Sequence, residues 1–327
     1  MRGMFGKLAI VFVALSMLSI IFSINGAMAG DYPTKPVMVI NMWSVGGTTD
    51  LICRALASVA PIYLNNQSLI VVTKPGAAGA IGTAYLKKQP ADGYWIMVTS
   101  PGNLTAKPHM AKTGYTYADF ESIAYIGDDP YVFAVRPDSP FKTMKDLIGH
   151  AKKNPGKVTY SSCGPGSMNH LAIEYLQDAA GIKLKHVPNK CFGPALLAML
   201  GGHVDFCAVG PGNTSPLAKA GKLRQLAVSG GKKRKGLEDV PTMESLGIPV
   251  PLISWKAVMV KKGVPPDRKA FLVEAFKKII NDKSFVKLMN KMDQPVSYMG
   301  PKETDEMIAK EDALVTKLTK RLGLAIK

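Results

Sequence analysis

The feature that most constrains this chain is a repeating unit: a short apolar run, a glycine-rich turn, then apolar residues at helical spacing. It first occurs at Val37-Met38-Val39-Ile40, followed by Gly46-Gly47-Thr48-Thr49-Asp50 and by Leu51, Ile52, Ala55, Leu56 and Val59. The apolar run predicts a buried strand, and the 3.6-residue spacing predicts a helix with one apolar face. The unit recurs where Leu69-Ile70-Val71-Val72 enters Pro75-Gly76-Ala77-Ala78-Gly79-Ala80-Ile81-Gly82. It recurs again where Val158-Thr159-Tyr160-Ser161-Ser162 enters Cys163-Gly164-Pro165-Gly166-Ser167, ahead of Leu171, Ala172, Tyr175, Leu176 and Ala179. Such a chain is α/β, with its ligand sites at the C-terminal ends of the strands.

These turns have a specific chemistry. Glycine lets the backbone come close to a guest, and a helix start presents unpaired N–H groups at the positive end of the helix dipole. A carboxylate or phosphate can sit there without a charged side chain. Thr48 or Thr49 is expected to cap the first helix and Ser167 the later one. The alternative is that these are ordinary βα turns, with glycine serving steric needs alone.

Residues 1–29 read as a targeting segment. Arg2 and Lys7 precede an uncharged run from Leu8 to Ile24, and Ala27-Met28-Ala29 fits a small-x-small cleavage pattern. The expected location is periplasmic; an uncleaved anchor is the rival reading. The chain carries 41 basic against 24 acidic residues, a formal net charge of +17, a field that draws anions. Three features argue against nucleic acid as a partner: no zinc-finger spacing, no RNA-binding aromatic signature, and an export signal. The densest basic run, Lys232-Lys233-Arg234-Lys235, lies between glycines and reads as a solvated loop. Cys53, Cys163, Cys191 and Cys207 match no metal motif. Cys53 reads as a core residue, while Cys163 and Cys191 fall in loops at strand ends, where a disulfide between them is a hypothesis.

Farther along, Tyr94-Trp95-Ile96-Met97-Val98 predicts a strand ending in Thr99-Ser100-Pro101-Gly102-Asn103, and Val204 to Val209 predicts one ending in Gly210-Pro211-Gly212-Asn213. A short helix is expected over 217–221. Arg136-Pro137-Asp138-Ser139-Pro140 reads as a passage between domains, and three helical segments follow Pro265. No catalytic constellation survives: there is no GxxxxGK[ST], HExxH, EF-hand loop or GxSxG elbow. His170 follows Ser167 by three residues, but nothing in the sequence would orient its imidazole as a hydrolytic base. An exported two-domain α/β chain with glycine-rich strand ends and no nucleophile motif points to a binding protein that needs no cofactor.

In order along the chain, several short motifs resemble the solute-binding proteins of tripartite tricarboxylate transporters, the TctC-like or Bug family. They are Tyr32-Pro33-Thr34-Lys35-Pro36, Gly46-Gly47-Thr48-Thr49-Asp50 with Arg54, and the 74–82 glycine segment. Ala91-Asp92-Gly93-Tyr94, Asn154-Pro155-Gly156-Lys157, Gly164-Pro165-Gly166-Ser167 with His170-Leu171-Ala172, and Gly201-Gly202-His203-Val204-Asp205 continue the series. The resemblance implies a two-lobed Venus-flytrap periplasmic binding protein fold, each lobe a mixed sheet flanked by helices. One lobe would comprise 30–130 plus 254–327 and the other 131–253.

The resemblance also implies capture of a small organic carboxylate for a membrane permease, without catalysis. The ligand could be a di- or tricarboxylate, or an aromatic or amino acid carboxylate. By the family's pattern the ligand-binding positions are Val45, Gly46, Gly47, Thr48 and Asp50 in the first lobe and Cys163, Gly164, Gly166 and Ser167 in the second. Thr99, Ser100, Asn103, Asn189 and Asp205 rank behind them, and Asp50 is either a partner for a ligand amine or a first-turn helix charge with a structural use. The chain departs from the family at Asn41-Met42-Trp43-Ser44 and at Asn189-Lys190-Cys191-Phe192, where the far end of a ligand would lie. A sensor feeding a signalling partner, or a hydrolase using Ser167 or Cys163, are the alternatives.

Overall fold

A computed structural model describes residues 32–189 and 192–326. The expected targeting segment lies outside them, as does Cys191 and with it the proposed Cys163–Cys191 bridge. No helix among the described residues is long and apolar enough to cross a membrane.

The first sheet takes the strands β1 (Val37–Asn41), β2 (Leu69–Thr73), β3 (Trp95–Thr99) and β4 (Phe120–Asp129), in the order β2-β1-β3, then a late strand, then β4. That late strand, Ser254–Lys261, runs antiparallel to both β3 and β4, whereas β1 is parallel to β2 and β3. Apolar residues occupy both faces of the central strands, as a sheet covered on both sides requires. Val37, Val39, Ile96 and Val98 point to one core, shared with Ile52 and Leu56 of helix α1 (Thr48–Val59). Ile40 and Met97, of opposite parity, point to another, shared with Leu86 of α2 (Ala80–Lys88). The strand pleat alone sorts them.

The second sheet is built from β5 (Val132–Val135), β6 (Thr159–Ser162), β7 (Lys185–Pro188), β8 (Phe206–Val209) and β9 (Arg224–Val228), ordered β7-β6-β8-β5-β9. β6 is parallel to β7 and β8; β5 is antiparallel to β8 and β9. Both sheets are therefore mixed and flanked by helices. Strand membership changes between Asp129 and Val132, ahead of the proline-rich 136–140 stretch, which follows β5. It changes back before the late strand, here β10 (Ser254–Lys261). Tyr131 and Ser229 tie the two crossings together: the Tyr131 N–H donates to Ser229 Oγ at 2.9 Å and the Ser229 N–H to the Tyr131 carbonyl at 2.9 Å.

Helices α3 (Lys107–Met110), α4 (Met144–Lys153), α5 (Met168–Ala180), α6 (Phe192–Leu200) and α7 (Pro211–Lys219) follow the middle strands, and α8 (Pro266–Asn281), α9 (Lys283–Lys291) and α10 (Pro301–Arg321) close the chain. α10 serves both sheets. Its Ile308 packs in a core with Trp255 and Tyr125, while its Val315 and Leu318 pack with Phe133, Tyr160 and Leu171 of the second sheet's layer.

Candidate functional site

The first loop starts where β1 ends. Gly46 has φ +80°, a left-handed turn that glycine adopts without strain. Gly47 is the N-cap of α1 and no side chain caps the helix, so neither Thr48 nor Thr49 does what the sequence pattern suggested. Three of the first-turn N–H groups therefore have no partner within the helix. Val45, Gly46 and Thr48 are exposed and Gly47 is half-buried. Asp50 lies beneath them, 1% exposed. Its carboxylate accepts the Gly46 N–H at 3.0 Å, the Arg54 Nε–H at 2.9 Å and an Asn41 amide N–H at 3.1 Å. The Arg54 bond, helped by the other donors, holds the Asp50 carboxyl below its ordinary range against the opposing effect of burial. Both Asp50 oxygens are thus engaged, tying the loop to Asn41 and Arg54.

The neighbouring strand end is closed in a similar way. The Asn103 side chain is fully buried; its amide donates to Thr83 Oγ1 and Thr99 Oγ1, and its carbonyl accepts from the Ser100 N–H and hydroxyl. Thr99, Ser100 and Asn103 thus form a buried network that supports the site from below. The chain there winds into a wide helical turn, Gly102–Ala106, where the sequence predicts the end of a strand.

The second loop follows β6. Gly166 has φ +75°, and Ser167 is the N-cap of α5 without a side-chain capping bond. The Ser167 hydroxyl lies 2.7 Å from the Gly164 carbonyl and 2.8 Å from Asn169 Oδ1. Asn169 also accepts the Cys163 N–H at 3.3 Å and donates to the Ala208 carbonyl at 2.8 Å, fastening the loop to β8. The Gly166 N–H donates to His170 Nδ1 at 3.2 Å. A Cβ on Gly166 would displace the flexible end of the Met110 side chain of α3, and the left-handed φ itself favours glycine there. Asn189, half-buried, donates to Ser161 Oγ at 2.6 Å and flanks Gly164.

The candidates thus fall into two groups, Val45 to Asp50 with Ser100 and Asn103 on the first sheet, and Cys163 to Ser167 with Asn189 on the second. Asp205 joins neither. It is exposed, and its carboxylate accepts the N–H and hydroxyl of Thr159, the first residue of β6, at the end of the sheet away from the loop. Sequence reasoning missed a further helix start of the same kind. β8 passes through Gly210 straight into α7, which has no side-chain cap and has Pro211 at its first position. That proline was the available signal, because its fixed φ suits a helix start.

Comparison with known proteins points to one family. The profile of the tripartite tricarboxylate transporter family receptor matches residues 52–324. The chain belongs to this receptor family. A relative from Cupriavidus necator, encoded in the gbd 5′ region, is 33% identical over 89% of this chain and 90% of its own. A TctC solute-binding protein from Polaromonas superposes with a TM-score of 0.82 at 32% identity, covering 89% of this receptor and 99% of its own chain. A protein of R. palustris solved with adipate superposes with a TM-score of 0.72 at 28% identity, covering 90% and 99%. The receptor's two-lobed periplasmic binding protein fold is that of these neighbours.

Proposed function

We propose that this receptor captures a small organic carboxylate between its two lobes outside the cytoplasm and hands it to the permease subunits of a tripartite transporter, without transforming it. The observation that carries the reading is the pair of helix starts at Gly47 and Ser167, both without a side-chain cap. Each offers backbone donors to an anion. The family supports the receptor role, and the R. palustris relative solved with adipate supports the carboxylate class. Against a hydrolase, the Ser167 hydroxyl meets the Gly164 carbonyl and Asn169 and no base, while the His170 Nδ1 is occupied by a backbone N–H.

The test is native mass spectrometry of the gently purified receptor, followed by a melting screen of the stripped protein against mono-, di- and tricarboxylates. A bound or stabilising acid is expected, adding about 2.7 kcal/mol at a hundredfold excess over its dissociation constant. No retained acid, and no acid that raises the melting temperature, would sink the reading.

A further inference from the structure

The two candidate loops are held by the same device. In lobe 1, Gly46 (φ +80°) precedes the N-cap Gly47, and its N–H donates to the side chain of Asp50, the third residue of α1. In lobe 2, Gly166 (φ +75°) precedes the N-cap Ser167, and its N–H donates to the side chain of His170, the third residue of α5. Turn, spacing and donor agree; the acceptor differs.

The residue one helical turn on differs too. After Asp50 it is Arg54, which neutralises the carboxylate at 2.9 Å. After His170 it is Glu174, whose Oε1 lies 3.7 Å from His170 Nε2. A second acid at position 170 would face Glu174 and set two carboxylates against the single Arg321 guanidinium near a loop that receives an anion. A neutral imidazole can accept the N–H without that cost.

We propose that His170 is the positioning residue of the lobe 2 loop, its uncharged Nδ1 doing for Gly166 what Asp50 does for Gly46. The proposal rests on the carboxylate-binding reading of these loops. The surroundings of His170 favour the neutral ring. It is 6% exposed, and its ring lies 4.3 Å from that of His186 on β7 and stacks at 6.3 Å on Tyr160 of β6. Tyr160 donates its hydroxyl to Glu174 at 2.6 Å, and Arg321 of α10 approaches the same carboxylate at 3.8 Å. Burial lowers the pKa of both His170 and His186 to about 4, so both rings are neutral at pH 7. With Nδ1 accepting, the His170 proton resides on Nε2, toward Glu174.

The experiment compares His170→Asn, whose Oδ1 can replace Nδ1 as acceptor, with His170→Leu, which fills the space and accepts nothing. Adipate and malate are the calorimetric probes, and the Gly166 amide is followed by NMR. The Asn variant is expected to keep affinity within about threefold of wild type, and the Leu variant to lose about tenfold or more with faster exchange of the Gly166 amide. A folded Leu variant with unchanged affinity and an unchanged Gly166 amide overturns the proposal. If neither acid binds wild type, the carboxylate reading fails for these probes, and the Gly166 amide alone decides the role of His170. If the Leu variant does not fold, imidazole 15N shifts of wild type decide: an Nδ1-protonated His170 at pH 7 overturns the assignment.

Discussion

The Ser167 hydroxyl has one hydrogen and two acceptors within reach, the Gly164 carbonyl and Asn169 Oδ1. A carboxylate arriving at the start of α5 brings only acceptors, so the hydroxyl can turn its hydrogen to the ligand while Asn169 stays fixed through Ala208. Ser167→Ala is expected to weaken carboxylate binding by about 1 to 3 kcal/mol; equal affinities by calorimetry would remove Ser167 from the site. At this scale the sequence was legible for backbone and opaque for side chains. Gly46, Gly166 and the helix starts could be read because a turn's φ requirement shows locally. The partners of Asp50 and Asn103 could not: they are brought close by the fold, such as Asn41 for Asp50 and Thr83 for Asn103. Arg234, read as part of a solvated loop, is a buried ion-pair partner for the same reason.

Among the elements, the strand-turn-helix units show plainly in the sequence because hydrophobic period and glycine position agree. α7 was foreseen only as 217–221 because Pro211, Gly212 and Pro216 resemble loop residues, although Pro211 sits where a helix tolerates it. The double duty of α10 is not visible in its periodicity, which shows one apolar face but not that its two halves meet different sheets. Where α10 meets the first sheet, half-buried Glu311 accepts the Thr105 hydroxyl at 2.7 Å and the Trp255 indole N–H at 2.9 Å through its carboxylate. Burial raises its pKa to about 7. Because the folded value lies above the unfolded one near ~4.3, the folded protein holds the proton more tightly. The resulting stabilisation is complete below the unfolded value and is lost as pH rises through about 7. Glu311→Gln, which cannot ionise, is expected to gain melting temperature relative to wild type between pH 5 and pH 8. His170 and His186 titrate in the opposite sense, but they are common to both proteins and cancel in the difference. A difference that stays constant with pH would show that Glu311 does not titrate in this range.

For the molecule as a whole, the question is what joins the two lobes besides the paired crossings at Tyr131 and Ser229. The basic run supplies one answer. Between β9 and β10 the chain sends Arg234 back to the end of β4, where its guanidinium lies 3.0 Å from Asp129 Oδ1 and 3.3 Å from Asp293 Oδ1. The Arg234 side chain is 8% exposed and Asp129 15%, whereas Asp293 is 57% exposed and contributes little. Burial pushes the Asp129 carboxyl above its ordinary range, with Arg234 opposing the shift. Gln294 also donates to Asp129 at 2.8 Å, so the charge has a second partner but no second counter-ion in direct contact among the described residues. Arg234→Met keeps the bulk and leaves Asp129 with Lys256 as its nearby cation but no ion pair in contact, a change that costs up to about 3 to 5 kcal/mol when the remaining ion stays buried. The expected result is a lower urea midpoint with faster amide exchange at 129–132 and 229–231, where the chain passes between the sheets. Exchange that rises evenly over both sheets would mean that Arg234 supports the fold without joining its lobes, and an unchanged midpoint would mean that Asp129 finds water or a proton in its place.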